Sequence, residues 1–283
     1  MLQLPSPLVD VNWLHDNLHA SQLIILDASV PPVVPGYESL NSEECFLAIS
    51  GARRFDYDKK ICKQDSSLPH MMPGADLFQE EVRKLGINSD SVIVIYDDVG
   101  LYSSPRAWWM LRAMGHEQVA VLDGGLRSWI AAGLATIDSL QLNSPAGNFE
   151  ANYEEDSFCD FSVVLSSIDD SSCAILDARS SGRFYGTAPE PRAGIRGGHM
   201  PNARNLPFPK LLNGGSMKPV ADLQEIFNEY ITDDERLITS CGSGLTACIL
   251  TFAAYLAGHR NLSVYDGSWV EWGVPSKLPV VTD

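Results

Sequence analysis

The sequence predicts an α/β protein of two tandem domains, each a parallel-core sheet with helices on both faces. Short apolar runs recur along it, in IILDAS (24–29), VIVIYDD (92–98), AILDAR (174–179) and RLITSCG (236–242), and read as buried strands. Helix-forming segments separate them. The whole series then repeats about 145 residues further on, which marks duplication of a domain rather than a short-period solenoid.

In chain order, the spacing of apolar residues predicts helices over 10–20, 75–85 (ADLFQEEVRKL) and 104–114 in the first half. In the second half it predicts helices over 161–168, 221–230 (ADLQEIFNEY) and 244–257. IILDAS matches AILDAR, each an apolar strand ending in an aspartate, and GARRFDYDK (51–59) corresponds to NARNLPFPK (202–210). One helix of each half closes on a Gly-His pair, Gly115-His116 and Gly258-His259. VLDGGLRSWIAAG (121–133) matches VYDGSWVEWG (264–273), with Trp129 falling on Trp272. Residues 134–160 lack sustained periodicity and carry Ser, Asn, Pro and acidic residues. The domains are therefore read as 1–135 and 161–283, with 136–160 as a linker.

Composition bounds the function. Hydrophobic residues make up 45% and charged residues 20%, as in a soluble globular protein. A net charge of −16 argues against nucleic-acid and anionic-membrane partners, and an anionic substrate would need local arginines. No apolar run reaches the length of a membrane span, and MLQLPSPLVDVNWL lacks the basic and apolar regions of a secretory signal. The six cysteines show neither CxxC nor Cys/His zinc spacing, so free thiols in a reducing cytoplasm are expected, with no metal.

Cys241 is the chemical centre of the chain. Strand, tight glycine turn and helix follow one another in LITSCGSGLTACILTFAAYLA (237–257), which sets the cysteine in a loop over a helix N-terminus. Backbone N–H groups of Gly242, Ser243, Gly244, Leu245 and Thr246 can point inward there, and the helix dipole adds positive potential, so the loop favours an oxyanion or a thiolate. Cys248, in mid-helix, reads as structural. Cysteine phosphatases and the related arsenate reductases need Cys-x5-Arg, and position 247 is Ala, which excludes that chemistry. In the first half the equivalent position is Asp97 or Asp98, depending on where a one-residue gap falls. A carboxylate cannot do thiolate chemistry, so the second domain is read as catalytic and the first as non-catalytic.

A duplicated α/β domain with cysteine only in the second copy, in a six-residue loop, resembles the rhodanese sulfurtransferases. The likeness continues through YDDVGLYSSPRAWWMLRAMGH (96–116), LDGGLRSW (122–129), GRFYGTAPEPR (182–192), GHMPNARNLPF (198–208) and YDGSWVEWG (265–273). It departs at Ala48-Ile49-Ser50-Gly51-Ala52, where the family usually has His-Ile-Pro-Gly-Ala. The loop Cys241-Gly242-Ser243-Gly244-Leu245-Thr246-Ala247 is similar to that of members acting on 3-mercaptopyruvate, whereas thiosulfate-specific members carry basic residues after the cysteine.

The resemblance implies that Cys241 takes sulfur from 3-mercaptopyruvate as a persulfide and passes it to a thiol acceptor, with thioredoxin the family expectation, or to cyanide. Neither cofactor nor metal is implied. A Ser-His-Asp proton relay maps to Ser243, His70 and Asp58; the last two come from the first half, so the site draws on both halves. Against these roles, His70 beside Pro69 reads equally as a surface loop histidine, and Asp58 beside Lys59 and Lys60 as a solvated carboxylate. Arg183 and Arg192, in one Pro/Gly-rich loop, suit the carboxylate of the keto acid, because a guanidinium binds carboxylate bidentately. The competing reading pairs them with Glu190 or other surface acids. Arg196 is a decoy in the same stretch, and Trp269 reads equally as pocket wall or core.

Overall fold

A computed structural model describes residues 2–42, 44–232 and 234–282. They form two units, the first made of the chain through Gln64 with Met72–Glu154 and Gly214–Met217, the second of Asp65–Met71, Glu155–Asn213 and the chain from Lys218.

The first unit contains β1 (Leu8–Val9), α1 (Val11–Asn17), β2 (Leu23–Asp27), β3 (Arg53–Arg54), α2 (Ala75–Lys84), β4 (Val92–Tyr96), α3 (Ser104–Ala113), β5 (Val119–Leu122) and α4 (Gly125–Ala131). Asp10 starts α1 by accepting a hydrogen bond from the Trp13 N–H at 2.8 Å, which satisfies one of the helix's orphan donors. The sheet is parallel throughout, in the order β1-β5-β4-β2-β3. Every residue of β4 and β5 is buried, which is why these strands are continuous apolar runs rather than alternating ones. Ile25, Val94, Ala120, Leu126 and Trp129 meet in a core on the sheet. Burying each large side chain there contributes roughly 1.5–3 kcal/mol.

The second unit contains β6 (Phe158–Cys159), α5 (Phe161–Ser167), β7 (Cys173–Asp177), α6 (Ser181–Phe184), β8 (Arg204–Asn205) and β9 (Leu212–Asn213). After β10 (Ser216–Met217), which packs with the first unit, come α7 (Val220–Asn228), β11 (Arg236–Ser240), α8 (Ala247–Ala257), β12 (Leu262–Tyr265) and α9 (Ser268–Trp272). Its parallel sheet repeats the first topology as β6-β12-β11-β7-β8. Asp160 caps α5 as Asp10 caps α1, and Trp272 lies in this core as Trp129 does in the other. The turn at Ala48 matches its counterpart in the second unit, since Ala48 bridges Ile137 as His199 bridges Val281.

Register settles the alignment of the copies. Asp27 lies opposite Tyr96 and Asp177 opposite Ser240, so the next residues, Asp97 and Cys241, are equivalent. The extra residue falls in the loop that follows, 97–103 against 241–246. The predicted helix 244–257 begins only at Ala247, because Gly244 has φ +77° and cannot sit in a right-handed helix.

Residues 136–160, read from composition as a linker, divide between the units. Phe149 is buried against Phe78 and His116, its carbonyl accepts from Arg83 Nε at 2.7 Å, and the amides of Asn152 and Glu154 donate to the end of α3. Phe158–Cys159 then enters the second sheet as β6. Isolated aromatic anchors in a polar stretch produce no periodicity, so the composition hid them.

Candidate active site

Cys241 is the first residue beyond β11, at the carboxyl end of a central parallel strand, where open α/β sheets place their ligands. Its side chain is buried. Two backbone hydrogen bonds hold the loop's carbonyls, from Trp269 N–H to Cys241 O at 3.0 Å and from Val270 N–H to Gly242 O at 2.9 Å. Ser268 Oγ accepts from the Cys241 N–H at 3.2 Å and donates to the Tyr265 carbonyl at 2.8 Å. With those groups committed, the amides of Gly242, Ser243, Leu245 and Thr246 donate to no protein acceptor among the described residues. Uncommitted amides beside the start of α8 are suited to negative charge on sulfur.

The first unit shows this kind of loop holding an anion. Asp97 Oδ1 accepts from the amides of Val99 and Gly100 at 3.0 and 2.8 Å. Its Oδ2 accepts from the amides of Tyr102, Ser103 and Ser104 at 3.0, 2.9 and 2.8 Å, and from Ser104 Oγ at 2.7 Å. The duplicated loop thus carries a fixed carboxylate where the second unit carries a thiol.

A buried ion network braces the Cys241 loop. Arg179 Nη2 and Nε bind Asp177 at 2.7 and 2.9 Å, and Arg179 Nη1 binds Glu190 Oε1 at 2.8 Å. Glu190 Oε2 in turn accepts from Arg183 Nη2 at 2.5 Å and Nε at 3.1 Å. The Arg179 guanidinium also stacks 4.1 Å from the Trp269 ring centre. Burial alone would lower Arg179, but Asp177 and Glu190 outweigh it and hold the guanidinium above its usual range. Arg183 reaches the loop itself: a Cβ on Gly242 would lie 3.0 Å from Arg183 Nη2.

The model of the rhodanese-like domain matches residues 10–132 and 161–274. The chain belongs to the rhodanese family. It is similar to thiosulfate/3-mercaptopyruvate sulfurtransferase 1, mitochondrial, of Arabidopsis thaliana, at 37% identity covering 97% of this chain and 78% of that protein. To human 3-mercaptopyruvate sulfurtransferase it is 38% identical, with 95% and 93% of the two chains covered. Among solved structures it is similar to the crystal structure of the Escherichia coli 3-mercaptopyruvate sulfotransferase, with TM-score 0.79, 32% identity and coverage of 93% and 99%.

Within this rhodanese chain the other expected site residues fall as follows. Ser243 is buried in the loop. His70 is buried at φ +59°, a left-handed conformation that side chains seldom adopt, and its segment Asp65–Met71 packs with the unit that carries Cys241. Asp58 is half-buried in the first unit, its carbonyl accepting from Cys62 Sγ at 3.5 Å. Arg192 is half-buried and makes no hydrogen bond or ion pair with the described residues, whereas Glu190 is spent on Arg179 and Arg183. Arg196 binds the carbonyls of Trp272, Gly273 and Leu278 and is structural. Trp269 is core, its Nε1 donating to the Arg196 carbonyl at 2.8 Å.

Sequence reading missed Arg179 and Ser268, and it had Glu190 only as the competing partner of the loop arginines, which Arg183 does engage. The signal for the first two lay in the repeat: Arg179 stands where the first copy has Ser29, and Ser268 at φ +49° where it has Gly125 at φ +56°. Three other thiols are raised by burial. Burial pushes Cys159 up to about 11, burial raises Cys173, and burial followed by Asp58 and Asp56 raises Cys62. Cys248 Sγ donates to the Gly244 carbonyl at 3.3 Å, a structural role. Among the described residues no helix is long and apolar enough to cross a membrane, and no group of His, Cys, Asp and Glu is placed to hold a metal ion.

Proposed function

We propose that this chain is a sulfurtransferase that moves the sulfur of 3-mercaptopyruvate through a persulfide on Cys241 to a thiol, releasing pyruvate. The observation that carries the proposal is the Cys241 thiol set among uncommitted loop amides, with the Arg183 guanidinium against Gly242. The Cys241 thiolate attacks the substrate sulfur and the C–S bond breaks. Its electron pair leaves as the enolate of pyruvate, which takes up the proton the substrate thiol has lost. The loop amides stabilise the resulting persulfide anion, and an acceptor thiolate then removes the outer sulfur.

Ser243, His70 and Asp58 act as the proton relay between substrate thiol and enolate. Arg183 and Arg192 hold the carboxylate and ketone, the first fixed by Glu190 and the second free of protein partners among the described residues. The first unit is non-catalytic, because Asp97 occupies the position of the nucleophile. A dithiol protein of the thioredoxin kind serves as acceptor. All six cysteines are free thiols, which suits work in the reducing cytoplasm.

Thiosulfate is the second reading, since the name of one relative carries both donors. Mass spectrometry after incubation with each donor separates the two. Gain of one sulfur on Cys241 with mercaptopyruvate but not thiosulfate is expected, and Cys241→Ser should abolish turnover while Cys248→Ser leaves it near wild type. Turnover retained by Cys241→Ser would overturn the assignment.

A further inference from the structure

The two units part company where β2 and β7 end. In the second, Arg179 follows the strand-end Asp177 by two residues and fills the space beyond it, reaching also the Gly198 carbonyl at 2.8 Å. In the first, Asp27 holds the place of Asp177 and accepts the amide of the residue two on, Ser29, at 2.8 Å as Asp177 accepts that of Arg179 at 2.9 Å. Ser29 therefore stands where Arg179 stands. Leu126, whose amide donates to the Asp97 carbonyl at 2.9 Å as that of Trp269 does to Cys241, stands where the stacking indole stands. The first unit thus has neither half of the cation–aromatic pair.

Beside Asp27 and Ser29 lies a cavity of about 330 Å³, acidic at its base. Asp27 and Asp98 line it, each 1% exposed. Arg54 reaches Asp27 Oδ1 at 3.1 Å, and Ser39 Oγ and the Asn41 amide bind Asp98 Oδ2. Asp27 Oδ2 and Asp98 Oδ1 have no hydrogen-bond partner among the described residues. Two carboxylates against one guanidinium leave one negative charge, and a buried carboxylate oxygen with no donor is costly. Burial correspondingly raises Asp27. The walls are apolar, from Val30, Pro31, Phe46 and Leu140.

We propose that this cavity binds a small organic monocation with N–H donors, an alkylguanidinium on a short apolar stem, in the place that Arg179 fills in the second unit. A guanidinium supplies several donors in a fixed plane and can serve more than one carboxylate acceptor. Two oxygens between apolar walls make a poor cage for a divalent metal, which takes six or more oxygen ligands and keeps water. The volume lies at the small end for ligand cavities and suits a compact molecule.

The test is calorimetric titration of the full-length protein with ethylguanidinium chloride, tetramethylammonium chloride and calcium chloride. Ethylguanidinium should bind saturably at one site, and tetramethylammonium, equal in charge but without donors, should not. Asp98→Asn should weaken binding about tenfold or more. Ser29→Arg should abolish it by supplying the guanidinium from the chain itself, without loss of mercaptopyruvate turnover. No saturable binding of ethylguanidinium would mean that the two aspartates merely share a proton, and would overturn the proposal. So would full binding by Ser29→Arg, or calcium displacing ethylguanidinium. Because turnover is read separately, failure here leaves the sulfur-transfer assignment standing.

Discussion

A methyl group at position 242 would lie 3.0 Å from Arg183 Nη2, and Arg183 cannot give way freely because Glu190 holds it at two nitrogens. Gly242→Ala should therefore push the guanidinium off its position and lower kcat/KM for 3-mercaptopyruvate about tenfold to a hundredfold, the loss of one charge-assisted hydrogen bond. Activity with thiosulfate, which has no carboxylate, should fall less. Unchanged kcat/KM for mercaptopyruvate would show that Arg183 does not meet the substrate. The setting of Cys241 after a strand was legible in the sequence because glycines and a following helix flank it, and Arg183 was singled out because a loop arginine suits a keto acid. The bracing of Arg183 was not, since Glu190 shows its worth only when burial at 4% side-chain exposure makes it the counter-charge of two arginines. Removing it with Glu190→Ala leaves the buried Arg179 with Asp177 alone and takes from Arg183 the carboxylate it binds, and should cost about 3–5 kcal/mol of stability in a denaturant titration. A loss near zero would mean that water replaces the carboxylate.

At the scale of elements, the five-residue strands β2, β4, β7 and β11 and the helices α1, α2, α3, α5, α7 and α8 were legible from pattern, whereas the seven-residue α4 was not. Nor were short α6 and α9, because four or five residues hold little more than one turn and show no period. Yet α9 is the element that pins the Cys241 loop, through the amides of Trp269 and Val270. It also carries a half-buried acid, Glu271. Burial raises Glu271 even though the Tyr265 hydroxyl donates to its Oε2 at 2.8 Å. A carboxyl raised on folding binds its proton more tightly in the folded state. Its contribution to stability is therefore greatest below the ordinary glutamate range and is lost as pH rises through the raised value. Glu271→Gln removes that loss while keeping an acceptor for the tyrosine. Its melting temperature relative to wild type should rise as pH increases from the ordinary glutamate range, about 4, through the raised value. A difference that shrinks over that range would mean the ionised carboxylate is the stabilising form.

Across the whole molecule, duplication made the fold readable: one strand order used twice, one aspartate cap used twice, one tryptophan used twice. The copies diverge most plainly at Asp97, which stands where the second unit has Cys241. Its carboxylate gathers five backbone amides and one hydroxyl, so in the first unit the loop's donors are satisfied from within and no ligand is needed. Asp97→Asn tests that account. The amide keeps the shape but replaces one acceptor oxygen by a donor, which then faces either the pair Val99 and Gly100 or the set Tyr102, Ser103 and Ser104. Each buried donor left unmet costs about 1–3 kcal/mol, so even the better orientation should destabilise the first unit by about 2 kcal/mol or more. Hydrogen exchange followed by mass spectrometry reads this locally. Peptides spanning 97–104 should lose protection by about tenfold or more, while those spanning 241–247 keep their rates. If 97–104 exchanged at the wild-type rate, the loop would hold its shape without an anion. The stabilisation of a Cys241 persulfide by its own loop amides would then lose its nearest structural support.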